Sequence, residues 1–195
     1  MSLDVQILTG AALEAALGDV AALRISVFRD YPYLYDGDEA YERRYLAAYR
    51  DAPGAILVGA FDGARLVGAS TGTPLARHDP AFAAPLVDAG YDVDRIFYCA
   101  ESVLLKPYRG QGVGHRFFDI REAYACDLGL EFSAFCGVVR PEDHPARTPD
   151  YRSLDDFWSR RGYSPITGAI ANFDWKEIGT DEEVPHELQF WIRRL

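Results

Sequence analysis

The chain has 195 residues, of which 49% are hydrophobic and 26% charged. These are ordinary values for a globular protein, and we expect residues 1–195 to form one domain. No run of about 20 apolar residues is present and the N-terminus lacks a basic signal segment, so neither a membrane partner nor secretion is expected. The net charge of −10 argues against nucleic-acid binding and suits a cationic or neutral small substrate, although solubility alone also explains it.

Two helices are predicted near the N-terminus. Residues 4–8 predict a first strand, and Thr9 is then placed to cap a helix that ends near Arg29. In the next helix tyrosines recur every four residues and so share one face, which we expect to pack in the core. These residues are Tyr41, Tyr45 and Tyr49.

A hairpin and a buried strand are predicted in the middle of the chain. Two apolar runs flank Asp62-Gly63, a strong hairpin signal. The connection that follows is expected to hold a short helix near residues 80–88. Residues 95–105 form a long apolar run that only Glu101 and Ser102 interrupt, and they predict a buried strand.

The second half continues the alternation of helices and strands. Apolar residues at helical spacing predict a helix that Gly129 ends, followed by a strand at 131–139 and a proline-rich loop at 140–152. Ser153 is placed to cap a short helix that Gly162 ends. Two final strands, residues 169–178 and 187–195, complete the order βααβββαβαββ. This order predicts a mixed α/β sheet layered with helices.

The cysteines and histidines carry no ligand spacing. Three cysteines form an odd set, and the four histidines show no metal-binding pattern, so we expect no metal site. Free thiols that pack in the interior suit a reducing cytoplasm, which is the predicted location. The cysteines are Cys99, Cys126 and Cys136.

The chemistry-bearing segment is KPYRGQGVGHRFF, residues 106–118. Three glycines follow Arg109 and open a predicted helix, whose first N–H groups lack internal partners and carry the positive end of the dipole. Glycines let the backbone approach an anion, so the segment predicts a phosphate-binding loop. A Walker loop is excluded because His115 follows the last glycine, and the G-x-G-x-G spacing excludes a Rossmann loop.

Arg109, Gly112 and Gly114 match the Arg/Gln-x-x-Gly-x-Gly/Ala signature, and the segment resembles the pyrophosphate loop of the GNAT superfamily of N-acetyltransferases. The stretch DDFWSRRGYSP resembles the late helix of that family. The resemblance implies an α+β three-layer fold: a mixed, mostly antiparallel sheet of about six to seven strands, with splayed central strands and flanking helices. It also implies an N-acyltransferase that uses acetyl-CoA or another acyl-CoA.

The resemblance places acyl-CoA between the strand ending at Leu105 and the strand beginning near Glu131. The backbone of residues 102–105 would pair with the pantetheine arm, and the glycine loop would hold the pyrophosphate. The implied cofactor-binding residues are Ser102, Val103, Leu104, Leu105, Arg109, Gly110, Gln111, Gly112, Val113, Gly114, His115 and Trp158.

Glu101 is the first candidate for the general base, because it is a carboxylate in an apolar strand beside the pantetheine segment. The alternative is a strand residue paired to an arginine. Tyr98, acting through water, is a further candidate base. Trp158 occupies the position where the family often has an acidic tyrosine, and tryptophan does not usefully donate a proton. Tyr151, in the preceding loop, is then the candidate acid.

The resemblance implies a small-molecule or protein amine as acceptor, bound by residues 28–49 and 140–152. The first segment is aromatic and acidic and suits a cation, whereas Arg140 and His144 suit an anionic group. Trp158 prompts the alternative of a non-catalytic acyl-CoA-binding domain, and an interaction protein that keeps only the fold is a second alternative. A homodimer remains open.

Overall fold

The computed structural model describes residues 3–195, in which seven strands and five α-helices alternate. The strands are β1 (Asp4–Leu8), β2 (Ile56–Asp62), β3 (Arg65–Pro74), β4 (Ile96–Leu104), β5 (Phe132–Val138), β6 (Ser164–Lys176) and β7 (Glu183–Arg194). The helices are α1 (Gly10–Phe28), α2 (Glu39–Asp51), α3 (Pro80–Asp88), α4 (Val113–Asp127) and α5 (Asp155–Arg160).

The strands form one sheet in the order β1-β2-β3-β4-β5-β7-β6. Every neighbouring pair is antiparallel except β4 and β5, which are parallel. These two strands pair only from Ile96–Tyr98 to 132–134 and then separate. The predicted mixed, mostly antiparallel sheet with splayed central strands is therefore confirmed.

Helices cover both faces of the sheet, which confirms the three layers. On one face Phe117 and Phe118 of α4 pack with Phe97 and Cys99 of β4. On the other face α1 packs over β3 and β4, α2 packs over β3, and α3 packs over β6. Across residues 3–195, no helix is both long and apolar enough to cross a membrane.

Strand β4 carries a bulge beside the splay. Thr71 faces Glu101 but Thr73 faces Tyr98, so β4 has one residue more than β3 over this interval. A bulge breaks the strict alternation of side chains. Tyr98, Ala100 and Glu101 consequently all line one cavity, on the face that α1 and α2 cover.

Arg121 of α4 holds the bulge from the opposite face. Its side chain is fully buried, and Nη1 donates to the carbonyl oxygens of Thr71 and Glu101, both at 3.0 Å. Nη2 donates to the Ser102 hydroxyl at 2.8 Å, and Nε donates to the Phe117 carbonyl at 3.2 Å. The buried cation thus uses backbone oxygens and a hydroxyl to offset its lost hydration.

Most element boundaries agree with the sequence prediction, and two regions differ. Strand β6 begins at Ser164 rather than 169, because the ladder with β7 continues across a register shift between Pro165 and Ile170. Strand β7 begins at Glu183, since the predicted acidic loop pairs with β6 as far as Lys176. Both extensions contain prolines, glycines or acidic residues, and these residue types do not predict a strand.

The predicted helix caps also differ in detail. Thr9 occupies the N-cap position of α1, but its hydroxyl makes no capping hydrogen bond. Helix α5 begins at Asp155, one position later than a cap at Ser153 requires, and Leu154 is the N-cap residue. The Ser153 hydroxyl instead accepts from the Asp155 N–H at 3.2 Å, which makes a local turn before the helix.

Candidate active site

The glycine loop opens α4 in a left-handed conformation. Gly112 is the N-cap residue with φ +80° and ψ 0°, and Gly110 has φ +77°. A Cβ at either position would meet nothing within 4 Å, so the backbone conformation rather than crowding requires glycine. In the part of the chain that the structure describes, the N–H groups of residues 110–115 make no backbone hydrogen bond. They are therefore available to an anion.

Charged and polar side chains surround these N–H groups. Arg109 is exposed, and its Nε donates to the Leu104 carbonyl at 3.0 Å, which holds the guanidinium at the end of β4. Gln111 is also exposed and donates to the Pro107 carbonyl. The His115 Nδ1 lies 3.2 Å from Arg161 Nη1. A cation beside free helix N–H groups fits a diphosphate.

Only part of the predicted pantetheine segment faces the splay. The Leu105 N–H donates to the Val67 carbonyl at 3.0 Å, so this group is already used by β3. Because hydrogen bonding alternates along antiparallel strands, Val103 also turns its backbone to β3. Ser102 and Leu104 then point their N–H groups away from β3. Within the predicted segment 102–105, Ser102 and Leu104 therefore have N–H groups that could face a ligand in the splay, and pairing of the segment with pantetheine stays a prediction.

Trp158 covers the splayed part of β5. A Cβ at Gly137 would lie 2.9 Å from Trp158 Cη2, so the close approach of the ring requires glycine there. The ring centroid lies 4.8 Å from that of Phe135 and 5.3 Å from that of Trp191. Trp158 therefore forms a fixed apolar wall beside the splay.

A cavity of about 370 Å³ lies on the opposite face of the sheet. The three regularly spaced tyrosines line it. The prediction of a core stripe holds for Tyr49, which is 6% exposed, and for Tyr45, which packs against the core, whereas Tyr41 is exposed. A repeat of four residues shows that side chains share a face but not what the face meets. The aromatic side chains of the lining are Phe28, Tyr33, Tyr35, Tyr41, Tyr45, Tyr49, His78, Phe82, Tyr98, Phe173 and Trp175.

Glu101 points from the bulge into this cavity and is 8% exposed. Its Oε1 lies 2.7 Å from Arg24 Nη1, and its Oε2 accepts from the Tyr45 hydroxyl at 3.1 Å. The alternative that Glu101 is a strand residue paired to an arginine is therefore observed, and the side chain also faces the cavity. Its role as general base stays a prediction. Arg24 makes a second ion pair with the fully buried Glu42.

Arg24 and Glu42 were missed by the sequence analysis. Burial opposes the charge of Arg24, but Glu101, Tyr45 and Glu42 together raise its pKa above the usual value. The arginine therefore stays charged between two carboxylates. The available signal was an arginine within the apolar run of α1, and it did not indicate a partner.

Tyr98 is placed in the cavity but cannot readily serve as a base. Burial, then the neighbouring Cys136, raise the pKa of Tyr98 well above its usual value, so the phenol keeps its proton. Its hydroxyl lies 3.1 Å from Cys136 Sγ. Burial raises the pKa of Cys136 to about 12, which leaves an unreactive thiol.

The other two cysteines differ in exposure. Cys99 is buried in β4 as expected, whereas Cys126 is exposed on α4, which corrects the prediction that all three are interior. All three thiols are free. Within residues 3–195 no group of His, Cys, Asp and Glu side chains is arranged to hold a metal ion.

The structure does not bring Tyr151 to Glu101. Its ring packs edge-on against Tyr31 at 4.6 Å and lies over Arg147, outside the cavity lining. The prediction that it is the acid is therefore not supported by its position. Tyr163 is buried, and its hydroxyl lies within hydrogen-bond distance of both Glu122 Oε1, at 2.9 Å, and Ser133 Oγ, at 2.7 Å.

The predicted anion-binding pair in the 140–152 loop is already occupied. Arg140 donates to the carbonyls of Pro32 and Tyr33 and to Glu177 Oε2. The Nδ1 of His144 accepts from the Ala146 N–H within a turn. Both residues are therefore engaged in structural contacts. The cavity, rather than this loop, contains the residues that suit an acceptor.

His78 is a further residue that the sequence analysis did not assign. It lines the cavity, and its ring centroid lies 4.8 Å from that of Tyr98 and 5.0 Å from that of Phe82. Burial lowers the pKa of His78 below its ordinary 6.5 despite the opposing effect of Glu101. The imidazole is therefore neutral at pH 7 and can accept a proton.

The same pKa shift predicts how stability depends on pH. His78 takes up its proton in the unfolded chain at about 6.5 but resists it when folded, so stability is complete above that value and falls as the pH drops below it. His78→Gln should flatten the decline in the free energy of unfolding between about pH 7 and 5.5. Urea unfolding at several pH values tests this, with the exposed His115→Gln as control; an unchanged slope in His78→Gln would contradict it.

No protein-family model matches the chain, and the comparison with curated proteins found no match. Solved structures do match over the whole of this chain. yncA from Salmonella typhimurium, solved with its cofactor acetyl-CoA, matches over 95% of its length with a TM-score of 0.63 at 9% identity. A GNAT-family acetyltransferase from Streptococcus pneumoniae gives 0.59 at 12% identity over all of its chain. The PaiA N-acetyltransferase from Thermoplasma acidophilum, in complex with coenzyme A, gives 0.56 at 10% identity, also over its full length.

At these identities the likeness establishes architecture. The matches support the mixed sheet flanked by helices that is described above. The resemblance that the glycine loop implied is confirmed at this level, and the chain has the fold of the GNAT N-acetyltransferases.

Proposed function

We propose that the protein transfers an acyl group, in the first instance acetyl, from acyl-CoA to a primary amine. One observation carries the proposal: the splay between β4 and β5 has the glycine loop at one end and borders the cavity that contains Glu101. Two of the matched structures contain acetyl-CoA or coenzyme A, which supports the choice of co-substrate.

The residues of the loop and the splay would bind and orient the co-substrate. Arg109 and the N–H groups of residues 110–115 would hold the diphosphate, and Ser102 and Leu104 would donate backbone hydrogen bonds to the pantetheine arm. Acyl-CoA supplies an acyl carbon with a thiolate leaving group. An N–H group aimed at the thioester oxygen as charge develops is typically worth about 10²–10³ in rate.

The cavity residues would prepare the amine. An alkyl ammonium with a pKa of about 10.4 loses its proton at a cost of roughly 4–5 kcal/mol at neutral pH. Glu101 is the proposed acceptor of that proton, and neutral His78 is a second acceptor in the same cavity. As the C–N bond forms and the C–S bond breaks, the nitrogen releases its second proton to the leaving thiolate.

The position of Trp158 removes the usual tyrosine acid from this scheme. A thiol of pKa about 8.5 is a good leaving group, so a dedicated acid is not required. Trp158 and Gly137 would instead shape the wall beside the pantetheine arm. A cytoplasmic location, a homodimer, one domain and the absence of a metal or nucleic-acid partner stay predictions from the sequence.

Arg109→Ala is expected to weaken coenzyme A binding by about tenfold to a hundredfold, the value of a charge-assisted hydrogen bond. Isothermal titration with coenzyme A measures this. Arg43→Ala, which removes an exposed arginine of α2 that pairs with Glu39, is the control. Equal affinities for the two variants would mean that Arg109 does not contact the co-substrate.

The proposed function is tested by titrating acetyl-CoA and coenzyme A and then following free thiol across a panel of amines. Binding together with amine-dependent thiol release supports the transferase. Binding with no turnover on any amine would favour the acyl-CoA-binding alternative. Absence of binding at high micromolar concentration would overturn both and leave an interaction protein.

A further inference from the structure

We propose that the cavity beside Glu101 selects a primary monoamine with a flat apolar body, such as an arylalkylamine, over amino acids and polyamines. The inference rests on the proposed function, which makes this cavity the acceptor site. It is argued from the size, the walls, the charge and the unpartnered oxygens of the cavity.

Size and wall chemistry restrict the body of the ligand. A volume of about 370 Å³ lies near the lower end of the range of roughly 300–1,000 Å³ for small-molecule sites. Tyrosine, phenylalanine and tryptophan supply ten of the 21 lining residues. Aromatic faces pack well on a flat apolar group and also attract a cation.

The charge of the cavity favours one positive group. Two arginines and three carboxylates line it, which leaves one negative charge in excess. Arg24 pairs with both Glu42 and Glu101, so its guanidinium is not available to bind an anionic group of a ligand. Arg77, the second arginine, is exposed at the mouth. A carboxylate on the ligand would therefore meet Glu42 and Glu101 without a buried counter-ion.

Unpartnered oxygens in the lining call for a hydrogen-bond donor. Glu42 is fully buried and its Oε2 pairs with Arg24. Its Oε1 makes no well-formed hydrogen bond within residues 3–195, and the Tyr35 phenol, whose pKa is raised by burial and then by Glu42, is a neighbouring donor. Thr73 is 2% exposed and its hydroxyl is without a partner in the same part of the chain. Buried oxygens of this kind are normally satisfied, and an ammonium group carries three donors.

One cation satisfies this arrangement and two do not. A single ammonium neutralises the excess charge and supplies the missing donors. Asp79, the third carboxylate of the lining, is exposed, so the second ammonium of a diamine would have to be buried against aromatic rings with no further buried carboxylate for it. The geometry therefore points to a monocation.

The first experiment compares three acceptors with acetyl-CoA by free-thiol detection. They are 2-phenylethylamine, phenylalanine, which adds a carboxylate to the same body, and 1,4-diaminobutane, which lacks the ring. We expect kcat/KM for 2-phenylethylamine to exceed each of the others by tenfold or more. Equal or higher values for phenylalanine or 1,4-diaminobutane would overturn the inference.

The second experiment measures binding directly, in the presence of coenzyme A so that no reaction occurs. Glu42→Gln is expected to weaken the binding of 2-phenylethylamine by about tenfold or more while leaving the binding of the neutral 2-phenylethanol unchanged. Phe173→Ala keeps the test decisive if Glu42→Gln does not fold, since loss of a wall ring should weaken both compounds. The matched control is Tyr91→Ala, because Tyr91 packs on Phe132 outside the cavity. This variant should change the binding of neither compound.

The outcomes separate this inference from the proposed function. If only phenylalanine or 1,4-diaminobutane supported thiol release, the proposed transferase activity would stand and the proposed preference for an apolar monoamine would be refuted. Binding of 2-phenylethylamine without thiol release from any amine would support the ligand class and refute the transferase. Equal binding of 2-phenylethylamine and 2-phenylethanol would show that no cation is recognised.

Discussion

Glu101→Gln is expected to lower kcat by about 10²–10⁴, the usual contribution of a positioned general base. The loss should be largest near neutral pH and below, and it should shrink as the pH approaches the pKa of the amine, which then loses its proton unaided. Affinity for acetyl-CoA should be unchanged within about twofold, because the side chain faces the cavity and not the glycine loop. Thiol-release kinetics from pH 6 to 10 and calorimetry make these measurements.

A matched control for this variant is Glu122→Gln. Glu122 is also buried and is also paired to arginines, Arg161 and Arg193, but it lies on α4 on the opposite face of the sheet. Its kcat per folded molecule should stay near that of the unmodified protein. Similar losses in both variants would assign the effect to burial of a charge in general. If the ratio of kcat between Glu101→Gln and the unmodified protein did not change with pH, Glu101 would not be the general base.

Arg24→Met is expected to lower the free energy of unfolding by about 3–5 kcal/mol, the usual cost of removing one partner from a buried ion pair. The variant leaves two carboxylates, Glu42 and Glu101, without their shared cation. Methionine is similar to the arginine stem in shape, so little of the loss should come from packing. Urea unfolding followed by circular dichroism measures the change.

A double-mutant cycle shows whether the loss comes from charge. In the Arg24→Met background, Glu42→Gln removes one of the uncompensated carboxylates, so the double variant should be more stable than the two single losses predict. Coupling between residues in contact is typically about 0.5–3 kcal/mol. Strict additivity would contradict the ion-pair account and would indicate that Arg24 contributes mainly through its contacts with Phe28 and Tyr45.

The sequence was most informative where the chemistry is local. The glycine loop is read from consecutive residues, and the conformation of Gly112 follows directly from that stretch. The strands and helices are likewise marked by the spacing of neighbouring residues, and errors were confined to the ends of β6, β7 and α5. The fold therefore followed from the loop and from the order of the elements.

The acceptor cavity could not be predicted because it depends on distant segments. Arg24, Glu42 and Glu101 lie on α1, α2 and β4, and nothing in their local sequence indicates that they meet. His78 stands in a connection whose path the sequence does not define. Tyr151, by contrast, was proposed from its place in the chain, and the packing of its loop holds it elsewhere.

The extra residue in β4 has a consequence for how such a site can change. Ala100 and Glu101 lie on the same face, so deletion of Ala100 would restore regular alternation while Glu101 still faced the cavity and Ser102 still faced Arg121. A single codon, inserted or removed at this place, can thus change the shape of β4 and the lining of the cavity while the carboxylate and its neighbours in the strand keep their faces.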